Sequence, residues 1–288
     1  MAANFWVGGP TGSLQIGDGS LRFILGPCLL ESASHALDLA AAIDAELRAR
    51  GAGWIFKASF DKANRSSPSG ARGPGLARGL QILAEVRAQL GVPVTTDVHL
   101  PDQVAEVAQV VDLVQVPAFL CRQTDLLWAV GACGKPAHLK KGQFVAPGAM
   151  AGALAKLREA GGGPALITER GSAFGHNDLV VDMRGLVELR ALGAAVGMDA
   201  THAAQRPGAL GDRSGGQRWA VPALARAAVA VGVDVLFAEV HEDPDRAPSD
   251  GPVMVPLAAL GGLIDQVLAI HAAVNSAPVV DLGAPGRG

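Results

Sequence analysis

Eight short apolar runs, each followed by a segment of helical period, constrain the fold of this chain more than any other feature. The runs are 22–26, 54–58, 94–98, 113–117, 137–140, 165–168, 195–199 and 235–239. Segments rich in Ala, Leu, Arg and Glu follow near 34–49, 75–90, 101–109, 122–132, 148–160, 183–192, 217–231 and 256–274. The runs are continuously apolar rather than alternating, the pattern of strands buried on both faces of a parallel sheet. Eight strand–helix pairs in 288 residues predict an α/β fold, a closed (β/α)8 TIM barrel, with residues 1–288 forming one domain. A doubly wound open sheet is the alternative. It would carry a Gly-rich fingerprint in the first strand-to-helix turn, where this chain has Gly26-Pro27-Cys28. Ahead of the first run, residues 5–21 predict an N-terminal β-hairpin turning at Asp18-Gly19, placed to plug the N-terminal mouth of the barrel. The Pro- and Gly-rich tail at 276–288 predicts loose chain.

Net charge is −3 and 18% of residues are charged, so there is no broad basic face for nucleic acid or an anionic membrane. Any anion site must focus a few cations locally. Met1 to Pro10 lacks a basic segment leading into an apolar core, so no secretory leader is expected. The apolar stretch 223–240 is interrupted by Arg226, Asp234 and Glu239, which argues against a membrane span. Cys28, Cys121 and Cys133 are odd in number and widely spaced, which predicts free thiols and a cytoplasmic protein.

In a barrel of this kind chemistry gathers at the C-terminal ends of the strands. Those ends are unusually polar here. Cys28 follows the first run; Lys57, Lys62, Asn64, Arg65 and Ser66 follow the second. Asp97 and His99 end the third, while Gln115 in the fourth leads to Ala118 and Arg122. Lys140 and Lys141 end the fifth, Glu169 and Arg170 the sixth, and His202 follows the seventh. Glu239 and His241 end the eighth, with Asp250 in the next loop. Singly, each has a structural explanation such as packing or a solvated rim. Together they split into two groups. Lys57, Lys62, Arg65, Arg122, Lys140 and Arg170 outnumber the cations that one phosphate needs, and suit two anionic substrates or one of several charges. Cys28, His202, Glu239 and Asp250 come from the first, seventh and eighth units, neighbours once a barrel closes. Their mixed S, N and O donors suit Zn2+ or Fe2+, with Mn2+ also open, rather than Mg2+ or Ca2+.

Several of these segments carry a family resemblance. Lys57-Ala58-Ser59-Phe60-Asp61-Lys62-Ala63-Asn64-Arg65-Ser66-Ser67 resembles a signature of the 3-deoxy-D-manno-octulosonate 8-phosphate synthases (2-dehydro-3-deoxyphosphooctonate aldolases). So do Thr95–His99, Gln115–Asp125, Lys140–Phe144, Thr168–Gly171, Asp199–His202 and Ser214–Gly216, and the likeness runs from about Arg22 to Leu257. The resemblance implies a homotetrameric barrel enzyme that condenses phosphoenolpyruvate with D-arabinose 5-phosphate, for the inner core of lipopolysaccharide. It implies that Lys57, Lys62, Lys140 and Arg170, with Gln115 and the backbone of Ala118, hold phosphoenolpyruvate. Arg65, Ser66 and Arg122 would hold the sugar phosphate, across a subunit boundary in some arrangements, and Asn64 a hydroxyl near the aldehyde. The related aromatic-pathway synthases carry Lys-Pro-Arg where this chain has Lys62-Ala63-Asn64-Arg65, so Asn64 favours the five-carbon sugar. Cys28 with His202, Glu239 and Asp250 resembles the metal-dependent branch; the other branch has Asn in place of Cys28. Lys62, Asn64, Asp97, His99, His202 and Asp250 are the catalytic candidates, and whether Asp250 or Lys62 moves the proton is left open. The chain departs from the family at 68–71, at His138 where Asn is common, and at His176. A barrel that binds sugar phosphates without turnover is the alternative of another class, although such a binder has no need of the metal set.

Overall fold

The computed structural model describes residues 3–9, 12–65, 67–68, 70–209, 214–278, 280 and 283. The chain opens with an antiparallel pair, β1 (Phe5–Gly9) and β2 (Gly12–Ile16). The barrel strands β3 (Arg22–Gly26), β4 (Trp54–Lys57), β5 (Val94–Asp97), β6 (Leu113–Val116), β7 (Ala137–Lys140) and β8 (Ala165–Glu169) then pair in parallel, each with the next. A short hairpin, β9 (Ser172–Phe174) with β10 (Asp178–Val180), interrupts the series before β11 (Ala195–Asp199) pairs with β8. A second small pair, β12 (Gln205–Arg206) and β13 (Gly215–Gly216), precedes β14 (Val235–His241). Strand β14 bonds both β11 and β3, which closes eight parallel strands into a barrel, and β15 (Val255–Pro256) extends its edge.

The helices follow the expected segments closely: α1 (Ala33–Arg48), α2 (Leu76–Leu90), α3 (Pro101–Val110), α4 (Thr124–Ala132), α5 (Met150–Glu159), α6 (Arg184–Ala191), α7 (Val221–Val231) and α8 (Leu257–Ser276). Their ends have local causes. The Ser32 hydroxyl accepts the His35 backbone N–H at 3.0 Å to start α1. Gly91 and Gly232 end α2 and α7 in the left-handed conformation. Helix α8 is long and apolar enough by composition to cross a membrane, unlike the stretch 223–240. Its apolar face of Leu260, Leu263, Ile264 and Val267 is buried, it packs against α1 and α7, and its exposed positions are mainly alanine and polar residues, among them Asp265, Gln266 and Asn275.

Two cores result. The larger fills the layer between strands and helices. The smaller lies inside the barrel, where Phe5, Val7, Leu14 and Ile16 of the hairpin meet Ile24, Ile55, Leu113, Leu166 and Val235 of the strands. The hairpin therefore floors the barrel, as expected, but its turn is not Asp18-Gly19. Strands β1 and β2 pair across residues 10–11, which lie outside the described residues. Asp18 instead turns the chain from β2 into β3, accepting the Ser20 N–H at 3.0 Å and Arg22 Nη2 at 2.6 Å. An Asp-Gly pair fixes a turn but not that its flanks pair with each other. Most of the tail expected to be loose (279, 281, 282 and 284–288) also lies outside the described residues.

Candidate active site

The C-terminal ends of the strands surround a cavity of about 660 Å3. Lys57, Lys62, Asn64, Arg65, Asp97, Gln115, Ala118, Lys140, Arg170, His202 and Asp250 all line it. Eight strands of one barrel are the only reason that residues so distant in sequence meet. Gly26 shows how tight the construction is. Its φ is +151°, and a Cβ there would come 2.0 Å from the Lys57 carbonyl oxygen. Only glycine lets the end of β3 pass β4 closely enough to bring Cys28 under Lys57.

The cations are held by the protein rather than left in solvent. Ser59 Oγ accepts from Lys57 Nζ at 2.9 Å and Lys62 Nζ at 3.1 Å. Lys57 also lies 3.7 Å from Glu239 Oε1. Lys140 bonds Asp199 and stands 3.5 Å over the Phe237 ring centroid, so an aromatic face forms part of the floor. Burial pushes the Lys140 ammonium down to about 8, despite the neighbouring Asp199 carboxylate. Burial would also lower Lys62, but Cys28, Glu239, Asp97 and Asp250 around it outweigh that and hold its proton firmly. Asp97 has the reverse balance: burial would raise it, whereas His99 and the Lys57 and Lys62 charges keep it well below the usual carboxylate range. Two arginines are anchored at one nitrogen and left without a partner at another. Arg170 Nη2 donates to Gln205, and Arg65 Nη1 to Ser249, while Arg170 Nη1 and Arg65 Nη2 are buried without a hydrogen-bond partner. Buried donors of this kind are uncommon unless a ligand takes them.

Beside the cations, Cys28 Sγ and carboxylate oxygens of Glu239 and Asp250 lie within 4.8 Å of one another. The Cys28 thiol donates to Asp250 Oδ2 at 3.0 Å. His202 stands outside this compact trio but touches it, its Nε2 lying 3.6 Å from Glu239 Oε1. Its Nδ1 bonds Asp199 at 2.7 Å, which turns Nε2 toward the acids. Both oxygens of Glu239 are buried and lack any hydrogen bond. Burial, with Asp250 and Glu239 close by, pushes the Cys28 thiol well up. A carboxylate with no donor and a thiol beside two acids are costly in isolation, and a divalent cation relieves both. A second group of Glu31, His35 and His241 is about as compact. There the donors satisfy one another: His241 Nδ1 accepts the Asp243 N–H, so its Nε2 carries the proton given to Glu31 at 2.9 Å.

The sequence model of the DAHP synthetase I family matches residues 7–269. A protein of Bradyrhizobium sp. (strain BTAi1 / ATCC BAA-1182) is 54% identical over 272 residues, covering 94% of this chain and 95% of its own. One from Nitrobacter winogradskyi is 53% identical over 268 residues (92% and 93%), and one from Syntrophotalea carbinolica 53% over 259 (90% and 94%). Each is named 2-dehydro-3-deoxyphosphooctonate aldolase. The chain belongs to the DAHP synthetase I family.

For this DAHP synthetase I family member, the structure distributes the expected residues unevenly. His99 reaches the site only through Asp97, its Nε2 3.0 Å from Oδ2. Arg122 does not line the cavity; it is exposed ahead of α4, and its carbonyl accepts from Lys156. Ser66 lies outside the described residues. Lys141 and His241, though at strand ends, turn away: Lys141 bonds the carbonyls of Gly142 and Val145, and His241 bonds Glu31. Three residues escaped the sequence reading. Asp199 ends β11 within a noted motif, yet nothing in the sequence gave its bridging of Lys140 and His202. Gln205 and Ser249 left no sequence signal, because uncharged loop residues acquire meaning only from their partners.

Proposed function

We infer that this chain is a 3-deoxy-8-phosphooctulonate synthase. It condenses phosphoenolpyruvate with D-arabinose 5-phosphate and water, giving 3-deoxy-D-manno-octulosonate 8-phosphate and inorganic phosphate, for the lipopolysaccharide core. The single observation that carries this reading is the pair of incompletely bonded arginines, Arg65 and Arg170, in one cavity of a chain 52–57% identical to proteins named 2-dehydro-3-deoxyphosphooctonate aldolase. Two anion-seeking forks in one chamber suit two phosphorylated reactants.

Lys57, Lys62, Lys140 and Arg170 offset the phosphate and carboxylate of phosphoenolpyruvate, with Gln115 and Ala118 alongside. Arg65 and Ser66 take the sugar phosphate, with Arg122, outside this cavity, reaching it from a neighbouring subunit, and Asn64 takes a sugar hydroxyl. Holding both reactants face to face supplies orientation worth roughly 7–11 kcal/mol at best. Carbon 3 of phosphoenolpyruvate attacks the aldehyde carbon, water adds at carbon 2, and phosphate leaves with cleavage of its bond to carbon 2. Lys62 keeps its proton and so offers a fixed positive charge beside the forming alkoxide, with Asp97 and His99 fixing its surroundings. Asp250 is held down to about 2, against its burial, by His202, Lys62 and its hydrogen bonds, so it is anionic at neutral pH and suited to ligation. Cys28, His202, Glu239 and Asp250 would hold a divalent ion, Zn2+, Fe2+ or Mn2+, which supplies polarisation of the aldehyde or a bound water of lowered pKa. A cytoplasmic homotetramer completes the reading; the exposed Phe144, and the exposed Phe119 close before the off-cavity Arg122, are consistent with a subunit contact.

Phosphate release tests this. Phosphoenolpyruvate with arabinose 5-phosphate should release phosphate much faster than with erythrose 4-phosphate; the opposite ranking refutes the substrate assignment. Exhaustive chelation should abolish release and Zn2+, Mn2+ or Fe2+ restore it. Full activity after chelation would refute the metal alone.

A further inference from the structure

Two directional relays of hydrogen bonds converge on one carboxylate. Asp250 has φ 55°, the sole left-handed non-glycine among the described residues. On one side Arg170 Nη2 donates to Gln205 Oε1 at 2.7 Å, and Gln205 Nε2 donates to Asp250 Oδ1 at 2.6 Å. On the other, Arg65 Nη1 donates to Ser249 Oγ at 2.8 Å, and that hydroxyl donates to Asp250 Oδ2 at 3.1 Å. Neither relay can run the other way. A guanidinium only donates and a carboxylate only accepts, so the Gln205 amide and the Ser249 hydroxyl each have one permitted orientation. Both arginines line the cavity, and one further nitrogen of each, Nη1 of Arg170 and Nη2 of Arg65, is buried without a hydrogen-bond partner.

We propose that Gln205 and Ser249 are positioning residues that couple both anion-holding arginines to the cation-holding carboxylate of Asp250, so that the three subsites fill cooperatively. The inference rests on the reading above of Asp250 as a metal ligand. An anion held by Arg170 fixes the plane of its guanidinium, and the planar fork carries that orientation to Gln205 and on to Asp250. Arg65 acts through Ser249 in the same way. A left-handed aspartate without these bonds is free to relax out of ligating geometry. Such coupling is reciprocal: whatever factor phosphoenolpyruvate adds to metal affinity, metal adds to phosphoenolpyruvate affinity.

The test measures Zn2+ affinity of the full chain by competition with a chromophoric chelator, alone, with phosphoenolpyruvate only, and with arabinose 5-phosphate only. Neither single substrate can turn over. In the wild type, phosphoenolpyruvate should tighten Zn2+ binding by at least about fivefold, within the usual range of coupling between sites. Gln205→Met should bring that ratio close to one while the arabinose 5-phosphate ratio survives; Ser249→Ala should do the reverse. Gln205→Glu still accepts from Arg170 but sets a like charge against Asp250. It should weaken Zn2+ about tenfold or more even with no substrate present. Equal ratios in wild type and Gln205→Met, or a wild-type ratio of one, overturn the coupling. If Gln205→Met does not fold, Gln205→Glu and Ser249→Ala decide. A wild type that binds no Zn2+ overturns the ligand reading itself, and shows this without any variant.

Discussion

Replacing Asp199 by Asn tests whether one buried carboxylate sets the state of both Lys140 and His202. Asp199 is fully buried and accepts from Lys140 Nζ, from Thr201 Oγ1 at 2.9 Å, and from the backbone N–H and Nδ1 of His202 at 2.8 and 2.7 Å. Burial would raise its pKa, but His202 and Lys140 hold it well below the usual range. Removing one member of a buried ion pair costs about 3–5 kcal/mol. With an unfolding entropy of about 0.6 kcal/mol/K for a chain of this size, the thermal midpoint should fall by about 5–8 °C. The loss must also depend on pH. Lys140 sits at about 8 in the native protein, below the ordinary lysine value, so it is charged and paired below pH 8 and neutral above. Without the Asp199 charge its burial is less opposed and its pKa drops further. The gap between wild type and Asp199→Asn should therefore be widest at the acid end of the range, narrow as pH rises toward about 8 and stay level above it. On the other flank His202 loses the charge-assisted bond that orients its ring, a change that typically lowers metal affinity about 10–100-fold. Thermal midpoints of the metal-free protein from pH 6 to 9.5, with chelator competition at pH 7.5, read both effects. A gap that stays constant with pH refutes the role given to the Lys140–Asp199 pair. Unchanged metal affinity refutes the orienting role on His202.

Two further outcomes separate the top of the barrel from its floor. Phosphoenolpyruvate affinity should fall by up to tenfold per pH unit above about 8, as Lys140 loses its charge, and Lys140→Arg should flatten that dependence; calorimetry of the metal-free protein measures both. Ile16, buried among the inner strand residues, should cost about 2–5 kcal/mol in chemical denaturation when cut to Ala, yet leave the rate of phosphate release at 25 °C unchanged.

The fold was legible because parallel barrel strands leave a plain signature: short apolar runs such as Leu113–Val116, buried on both faces, between helices with local caps. The site was legible where charge marked it. Lys57, Lys62, Arg65, Lys140 and Arg170 are costly to place at strand ends without a purpose, and all five line one cavity. What stayed hidden depends on geometry that no residue type encodes. Lys141 and Lys140 are adjacent in sequence, yet one faces the cavity while the other is buried among carbonyls. His241 and Glu239 are two apart on one strand, but the end of β14 carries His241 outward to Glu31. The hairpin turn was misplaced because Asp18-Gly19 is as good a signal for a simple reversal as for a paired one.

The cation pocket depends finally on register. Where the barrel closes, β14 pairs with β3 so that Glu239 lies opposite Gly26, and with β11 so that Phe237 lies opposite Asp199. Side chains alternate along a strand, so a slip of one residue would turn the Glu239 carboxylate into the apolar layer beneath the helices and Val240 into the cavity. Inside, Glu239 meets Cys28 and Lys57; outside, it would meet only hydrocarbon. The hairpin floor opposes that slip from below, because Ile24 of β3 and Val235 of β14 pack with Ile16 and Leu14 in one cluster. A one-residue shift would lift an apolar contact out of the floor as it removed an acid from the site. The same pairing therefore serves the packing at one end of the barrel and the chemistry at the other, and the sheet need be specified only once.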